Sequence, residues 1–574
     1  MQYCNHYFDE FPYPNLSNMN QDYEPLFQER FVVLFFNLSR KYNNFYKKNN
    51  QENINEIYKY TLDTLSIFKR LIHDNDSFEE YQKKVALRYL NLFYRLIGYT
   101  RDKVYGNGEY YISFPLILAF YEVFPKLGLF AIKSFFMSEQ SYQYGSWKDA
   151  ILFCDFIYHF SPNKDNHPLI LNIITYINIQ LNKDMTEWKF AYNPFNTNFI
   201  SNVAKWIPRE NKKYSWLFHK LAINWVNFKH PYIFRYAKSY NSIRKATNKA
   251  KLLYRKQISY LNKQLKTTEI SLSNKRMQYH PPNISTFAHN FHSFNKNHFS
   301  FQSIIYNKSG IIRHSHIPIH LIIKHALNAD PNTHNHYTQN ILDMWNSIYN
   351  SFSNKFFFLS IPVLDVSLLA QHNSNQAFYT SIAMAIIIAS KSYIHNRIII
   401  MGTKPIWITI NPSHNIIQIV HYIFNQIDTI QNSYSNLYST MKFISNTINF
   451  SNGSNLFYKK LHFVIFTDFK YHIHFDFNLF FQKNIKQNFS PNIVLWNMST
   501  SSINTDISQL ITNKKSYLFS FFTGFSVNAL KSLSNLIYKH YKYNTTLTPF
   551  QKAESIIQHF NYDLLSDFLY SNFL

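Results

Sequence analysis

Two cysteines in 574 residues, Cys4 and Cys154, are too few for a disulfide framework or a cysteine-built zinc site, and they fit a reducing compartment. Glycine is scarce as well, at nine, and the chain shows no Walker-type loop, G-x-S-x-G elbow, HExxH helix or kinase signature set. Catalysis is therefore not expected. No apolar run reaches the ~18–20 residues that span a bilayer. The best stretch, Ala377 to Ser390, is too short and reads as a buried helix. The opening MQYCNHYFDEFPYPN has neither a basic start nor an apolar core, so no secretory leader is expected. These absences point to an intracellular, cytoplasmic protein with no membrane partner.

Acids are also short: 33 Asp and Glu face 58 Lys and Arg, a net charge of +25. Asn, Ile, Lys, Tyr and Phe are abundant, as AT-rich coding produces, so the excess informs only if it is unevenly placed. It is. Between Lys205 and Arg276 eighteen Lys or Arg residues face two acids, Glu210 and Glu269, which puts +16 of the +25 in one eighth of the chain. Within the helical stretch Asn248 to Leu265, Tyr254, Ile258, Leu261 and Leu265 form an apolar stripe. Lys245, Lys249, Lys256 and Lys263 follow a separate face at four- and seven-residue spacing. Trp206, Tyr214, Trp216, Trp225, Tyr232, Tyr236 and Tyr240 are interleaved with the cations. Such a surface suits a polyanion, with lysines on phosphates and aromatics on unpaired bases. The plainer reading is a solvated helical face with its aromatics in the core, and a basic patch also suits an acidic protein or anionic lipid.

At this length two or three domains are expected. From about Gln28 to Leu272 apolar residues recur at three and four. Leu65, Phe68, Leu71 and Ile72 share one face, as do Leu87, Leu90 and Tyr94. Gly106-Asn107-Gly108 and Pro162, Pro168, Pro194, Pro208 and Pro231 cut this region into helical lengths. No clean repeat is visible, so an irregular α-helical solenoid is expected. A His- and Asn-rich loop or insertion follows. After Lys355 short apolar runs appear at Phe356–Leu364, Arg397–Met401, His462–Phe466, Ile493–Trp496 and Leu518–Phe522. Helical stretches separate several of them, at Ala377–Ser392, Ile416–Ile427 and Ser439–Ile448. That alternation predicts a mainly parallel, doubly wound sheet covered on both faces, and helices that pack back on the body close the chain.

The first strand ends Ile361-Pro362-Val363-Leu364-Asp365-Val366-Ser367. A carboxylate and a hydroxyl two residues apart past a strand can reach one hard cation, and oxygen ligands suit Mg²⁺ rather than zinc. Asp468 follows a later strand in a similar position, and Ser435, before a helix, is a further hydroxyl. The alternative is that both Asp residues cap loops or helix starts.

Strand-DVS-helix at the head of an alternating β/α region resembles the metal-ion-dependent adhesion site of von Willebrand A domains, whose pattern is Asp-x-Ser-x-Ser with a distant Thr and a further Asp. Asp365 and Ser367 match the first two positions, Leu369 replaces the third, Ser435 stands where the Thr falls, and Asp468 stands at the second Asp. The resemblance implies a degenerate metal site with Mg²⁺ as its only candidate cofactor. TRDKVYGNGEYYISFPLILAFYEVFP and YGSWKDAILFC resemble the helical region of the TROVE group of Ro-like proteins, most closely a branch in which that region precedes an A-like domain. VAKWIPRENKK, LLYRKQISYLNKQLKTTE, NIVLWNM and FFTGFS fit the same branch in the same order, from Thr100 to Ser526. The implied layout is a tail over 1–30, a TROVE-like solenoid of HEAT-like repeats over 31–278, the insertion over 279–309, connecting helices over 310–354, an A-like domain over 355–534 and C-terminal helices over 535–574.

In Ro-type relatives helical repeats form a ring that binds RNA and the A-like domain closes it. Carried over, that makes Arg101, Lys103, Trp147, Lys148, Lys205, Arg209, Arg255 and Lys256 the positions for RNA. The expectation is a non-catalytic RNA-binding protein. The rival is a protein–protein scaffold whose A-like domain grips a partner carboxylate through Mg²⁺, and a third option is a hydrolase with metal at Asp365 and Asp468. The pairs His314/His316, His334/His336 and His472/His474 have strand-face spacing for a metal but no third ligand in view, so they are expected to be incidental.

Overall fold

The computed structural model describes residues 23–38, 48–73, 80–102, 105–137, 143–190, 200–265, 319–333, 335–352, 357–370, 376–394, 396–402, 404–428, 436–450, 460–467, 480, 483–484, 491–498, 519–543 and 548–573. The chain forms two compact units. One is Met1–Gly128 together with Ile311–Leu574, the other Leu129–Gly310. The division falls inside the 31–278 segment expected as one helical domain.

The described helices, in chain order, begin with α1 (Glu24–Asn37), α2 (Lys48–His73), α3 (Glu80–Arg101) and α4 (Tyr110–Val123). Next come α5 (Pro125–Phe136), α6 (Trp147–Phe160), α7 (Pro168–Phe190), α8 (Val203–Trp206), α9 (Ser215–Lys229), α10 (Tyr232–Arg235) and α11 (Tyr240–Leu265). Then follow α12 (Ile319–Asn328), α13 (His336–Tyr349), α14 (Gln376–Ser390), α15 (Ile416–Asp428) and α16 (Leu437–Phe450). The chain closes with α17 (Asn528–Tyr543), α18 (Pro549–Ile557) and α19 (Asp563–Phe573). Among the described residues no helix is long and apolar enough to cross a membrane.

The strands are β1 (Ser360–Asp365), β2 (Arg397–Met401), β3 (Ile406–Thr409), β4 (His462–Thr467), β5 (Asn492–Asn497) and β6 (Phe519–Thr523). They form one sheet in the order β3-β2-β1-β4-β5-β6, parallel throughout except that β3 runs antiparallel to β2. All six residues of β1, β4 and β5 are buried. Successive strand residues point to opposite faces, so an unbroken buried run means that both faces of the sheet are covered. On the β1–β2 side α14 supplies that cover, with Phe378, Ile382, Ala385, Ile386 and Ala389 all buried. An N-terminal helical region and a C-terminal, mainly parallel sheet make the architecture α plus α/β.

Rings build the helical part of the first unit. Phe27 packs on Phe68 at 4.7 Å between centroids, Phe31 on Phe93 at 5.6 Å, and Phe550 of α18 on Phe31 and Tyr89, both at 5.6 Å. The C-terminal helices thus pack back onto the first ones. Arg95 of α3, 7% exposed, fastens them. Its guanidinium donates to Asp563 Oδ1, Ser566 Oγ and the His559 carbonyl, each at 2.8 Å, and to the Ile557 carbonyl at 3.1 Å. The planar fork of arginine matches such a cluster of acceptors; the Ile557 carbonyl ends α18, while that of His559, just beyond it, also accepts from Tyr562 N–H at 3.0 Å.

Between α3 and α4 the chain turns tightly on the end of α3. Asn107 N–H donates to the Tyr99 carbonyl at 2.9 Å and Glu109 N–H to that of Thr100 at 2.8 Å. Gly108 has φ 73°, a left-handed value that favours glycine. Ser526 Oγ, in the turn after β6, donates to the Gly106 carbonyl at 3.4 Å, so two motif stretches far apart in sequence meet here.

Candidate functional site

In the second unit α11 packs its buried residues, Ala246, Ala250, Tyr254, Leu261 and Leu265, on α8 and α9. The Tyr254 hydroxyl donates to Asn178 Oδ1 at 3.0 Å, and Asn178 Nδ2 donates to the Leu221 carbonyl at 3.0 Å and Asn224 Oδ1 at 2.8 Å. Full burial pushes the Tyr254 phenol well above its usual pKa, so it stays a neutral donor. This network fixes the rotation of α11. At 3.6 residues per turn, Lys245, Lys249, Lys256 and Lys263 then lie within about 40° of one another, away from the buried side, over about 27 Å of helix. All four are exposed. Ile258, expected in the apolar stripe, is half-buried.

Ion pairing sorts the remaining cations. Lys213 meets Asp155 at 3.3 Å, Lys220 meets Asp165 at 2.9 Å, and Glu210 takes Lys251 at 3.6 Å and Arg255 at 3.2 Å. Arg255, expected to face RNA, therefore already has a carboxylate. From Lys229 to Lys263 the chain contains no acid at all. Lys229, Arg235, Lys238, Arg244, Lys245, Lys249, Lys256 and Lys263 are exposed, and no carboxylate among the described residues lies within ion-pair distance of them. Lys148, exposed, and Lys205, half-buried, both lie over the Trp206 ring, at 5.4 and 5.7 Å, and Arg209 is exposed.

Other positions differ from expectation. Arg101, 1% exposed in the first unit, is a core residue and presents no surface. Trp147 is buried against Phe136 at 4.8 Å. Lys103 lies outside the described residues. Among the aromatics Trp225 is buried, with its Nε1 donating to Asn182 Oδ1 at 3.1 Å, while Trp206, Tyr214 and Trp216 are half-buried. Tyr232, Tyr236 and Tyr240 are open, at 55, 77 and 80% exposure. Phe228, 70% exposed, and Tyr260, 41%, are also open and were not singled out from the sequence. The four-residue spacing of 228, 232, 236 and 240 gives no signal, since the helix breaks after Lys229 and again after Arg235.

At the other candidate place the sheet register decides the neighbours. Asp365 ends β1 level with Met401 of β2, and Leu364 pairs with Phe466, which sets Thr467 beside Asp365. Thr467 is level with Asn497, and Asn497 with Thr523. This polar row lies at the carboxyl ends of the parallel strands, and the chain reverses its direction across the sheet between β1 and β4, where such folds take ligands. Asp365, fully buried, accepts from the Thr467 hydroxyl at 2.6 Å through Oδ2 and from Ser367 N–H at 2.9 Å through Oδ1. The Ser367 hydroxyl is buried and has no hydrogen-bond partner among the described residues.

No protein-family model matches this chain, and no curated protein matches it.

Of the four residues expected at a metal, the structure describes Asp365 and Ser367. Ser435 and Asp468 lie outside the described residues, and Leu369 falls in the short turn Val366–Ala370. Thr467 was not anticipated; it is the residue next to the one proposed. Among the described residues no three His, Cys, Asp or Glu side chains gather as metal ligands. The insertion over 279–309 and five of the six paired histidines also lie outside them, and His336 opens α13.

Proposed function

We propose that this is a non-catalytic RNA-binding protein that holds RNA on the exposed side of α9 to α11. The observation that carries the reading is the set of eight exposed cations between Lys229 and Lys263, unpaired among the described residues, in a stretch without acids. Four of them, Lys245, Lys249, Lys256 and Lys263, share one side of α11, which a solvated helix does not require, and the paired cations elsewhere in this unit show what ordinary placement looks like. The resemblance to the TROVE group supports the same reading and extends it to a curved helical array of HEAT-like repeats. We read the sheet as a von Willebrand A-like domain. Its strand order, its single antiparallel edge strand and Asp365 at the switch point support that assignment, which other doubly wound folds share in part. A salt titration of the full chain with a structured RNA tests the function. If about six phosphates are contacted, log K is expected to fall with log salt at a slope of about −4 to −5. A flat response, or no binding at about 0.1 M salt, would reject it.

A second reading is favoured by one feature, the orphaned Ser367 hydroxyl beside Asp365. A Mg²⁺ there would satisfy it and could grip a partner carboxylate, as in a protein–protein scaffold. Millimolar MgCl₂ is then expected to raise the unfolding midpoint of the parent chain and not that of Asp365→Ala. Equal midpoints in Mg²⁺ and in chelator would remove this reading.

A further inference from the structure

Where the first unit closes on its C-terminal helices, one histidine sits at the meeting point. His559, half-buried, follows α18, and its carbonyl is held by Arg95 at 2.8 Å and by Tyr562 N–H at 3.0 Å. Its ring makes a separate set of contacts. Tyr105 stacks on it at 5.1 Å with 25° between the planes, Phe560 does so at 4.4 Å with 30°, and the Tyr562 ring lies at 6.1 Å. Nδ1 accepts from Asn561 N–H at 3.3 Å. A ring nitrogen that accepts carries no proton, so the neutral ring holds its one proton on Nε2. Tyr105 opens the tight turn after α3: its N–H donates to Asp102 Oδ1 at 3.3 Å, and Asn107 and Glu109 bond the end of the helix. The groups that face the His559 ring are Arg95 and Asp102 at α3, Tyr105 in the turn, Tyr562 beside it and Asp563 at the start of α19.

A second proton has only Nδ1 to go to. There it turns an acceptor into a donor, so that two N–H groups face each other and the ring loses the bond that sets its orientation. The backbone on either side stays in place. Arg95's bonds to the carbonyls of Ile557 and His559, and the packing of Phe550 on Phe31 and Tyr89, take up no proton. We propose that His559 is a proton-operated latch: a proton on Nδ1 swings its ring off Tyr105 and frees residues 105–109, while the C-terminal helices stay docked. In the same turn the Gly106 carbonyl accepts from Ser526 Oγ at 3.4 Å, so the latch reaches the turn that follows β6. Burial holds the ring's pKa below the usual histidine value; Asp102 opposes this, Arg95 adds to it and Asp563 opposes it. The latched ring therefore binds its proton less tightly than the released one. The stability it contributes is fully present above about pH 6.5 and is lost as the pH falls from there through the lower, latched pKa.

Hydrogen exchange of the full chain, read by mass spectrometry at about pH 7.5 and about pH 5.5 with each rate divided by its intrinsic value, tests the latch. Amides of residues 105–109 are expected to lose about fivefold in protection at the lower pH, with α14 unchanged. In His559→Asn the side-chain Oδ1 takes the place of Nδ1 toward Asn561 N–H and does not titrate, so protection over 105–109 is expected to be the same at both pH values. Equal protection of the parent at the two pH values would overturn the proposal. So would a His559→Asn chain that loses protection as the parent does, or an equal loss in α14, which would mean general unfolding. If that variant does not fold, the parent's own pH profile decides. A loss centred between about pH 5 and 6.5 supports the latch, and one centred near about pH 4 assigns the change to carboxylates and overturns it.

Discussion

Lys249→Glu, Lys256→Glu and Lys263→Glu together are expected to lower RNA affinity about a thousandfold at about 0.1 M salt. The size follows from counterion release. Each phosphate contact on a single strand contributes about 0.7 to the salt slope, so losing three costs about two decades at this salt, and reversing the charges adds about one more. The slope itself is expected to fall by about two. All three lysines are exposed and have no carboxylate partner among the described residues, so the substitutions break no ion pair there. Lys213→Ala and Lys220→Ala serve as the comparison. Those lysines already face Asp155 and Asp165, so their removal is expected to change affinity by less than about threefold. Fluorescence anisotropy across a salt series measures both. A triple variant that binds within a factor of about three of the parent would end the proposal that α11 meets RNA.

Gly106→Ala is expected to destabilise the first unit by about 3–5 kcal/mol, although it adds one carbon. A Cβ at this position would stand 1.9 Å from the Tyr99 carbonyl oxygen and 2.9 Å from its carbon, both backbone atoms at the end of α3. Neither can swing aside as a flexible side chain can. The turn would have to lift off the helix end, which breaks the bond from Asn107 N–H to Tyr99 and the stacking of Tyr105 on His559 at 5.1 Å. Gly108→Ala provides a scale. Its left-handed φ makes alanine unfavourable by about 1–2 kcal/mol. Thermal unfolding followed by circular dichroism distinguishes the two. A Gly106→Ala midpoint within about a degree of the parent would show that the turn yields at little cost.

Much of the sheet was legible because buried parallel strands are continuous apolar runs. Arg397–Met401 coincides with β2, and the runs at 462–466, 493–496 and 518–522 each overlap a strand to within a residue at either end. The run from Phe356 started too early, since β1 begins only at Ser360, after Phe358 has taken φ 43°. β3 was missed altogether. It is four residues long and only Ile408 is buried, as suits an antiparallel edge strand between Pro405 and Pro412. The lysine row on α11 was legible from helical spacing. Pairing was not: Glu210 lies 45 residues before Arg255, and nothing local announces that they meet. Likewise the hydroxyl beside Asp365 belongs to Thr467 because of strand register, a relation between segments a hundred residues apart that neither segment contains alone.

Arg95 also bears on the order in which the chain matures. Its partners at Ile557, His559, Asp563 and Ser566 emerge more than 460 residues after it. At about 5–20 residues per second, α3 waits on the order of half a minute to a minute and a half on the ribosome for the helices that complete its core. Residues Leu129–Gly310, one uninterrupted stretch, have no such delay. The second unit is thus poised to ripen first, while Phe31, Tyr89 and Phe93 need shielding from aggregation until translation is nearly over.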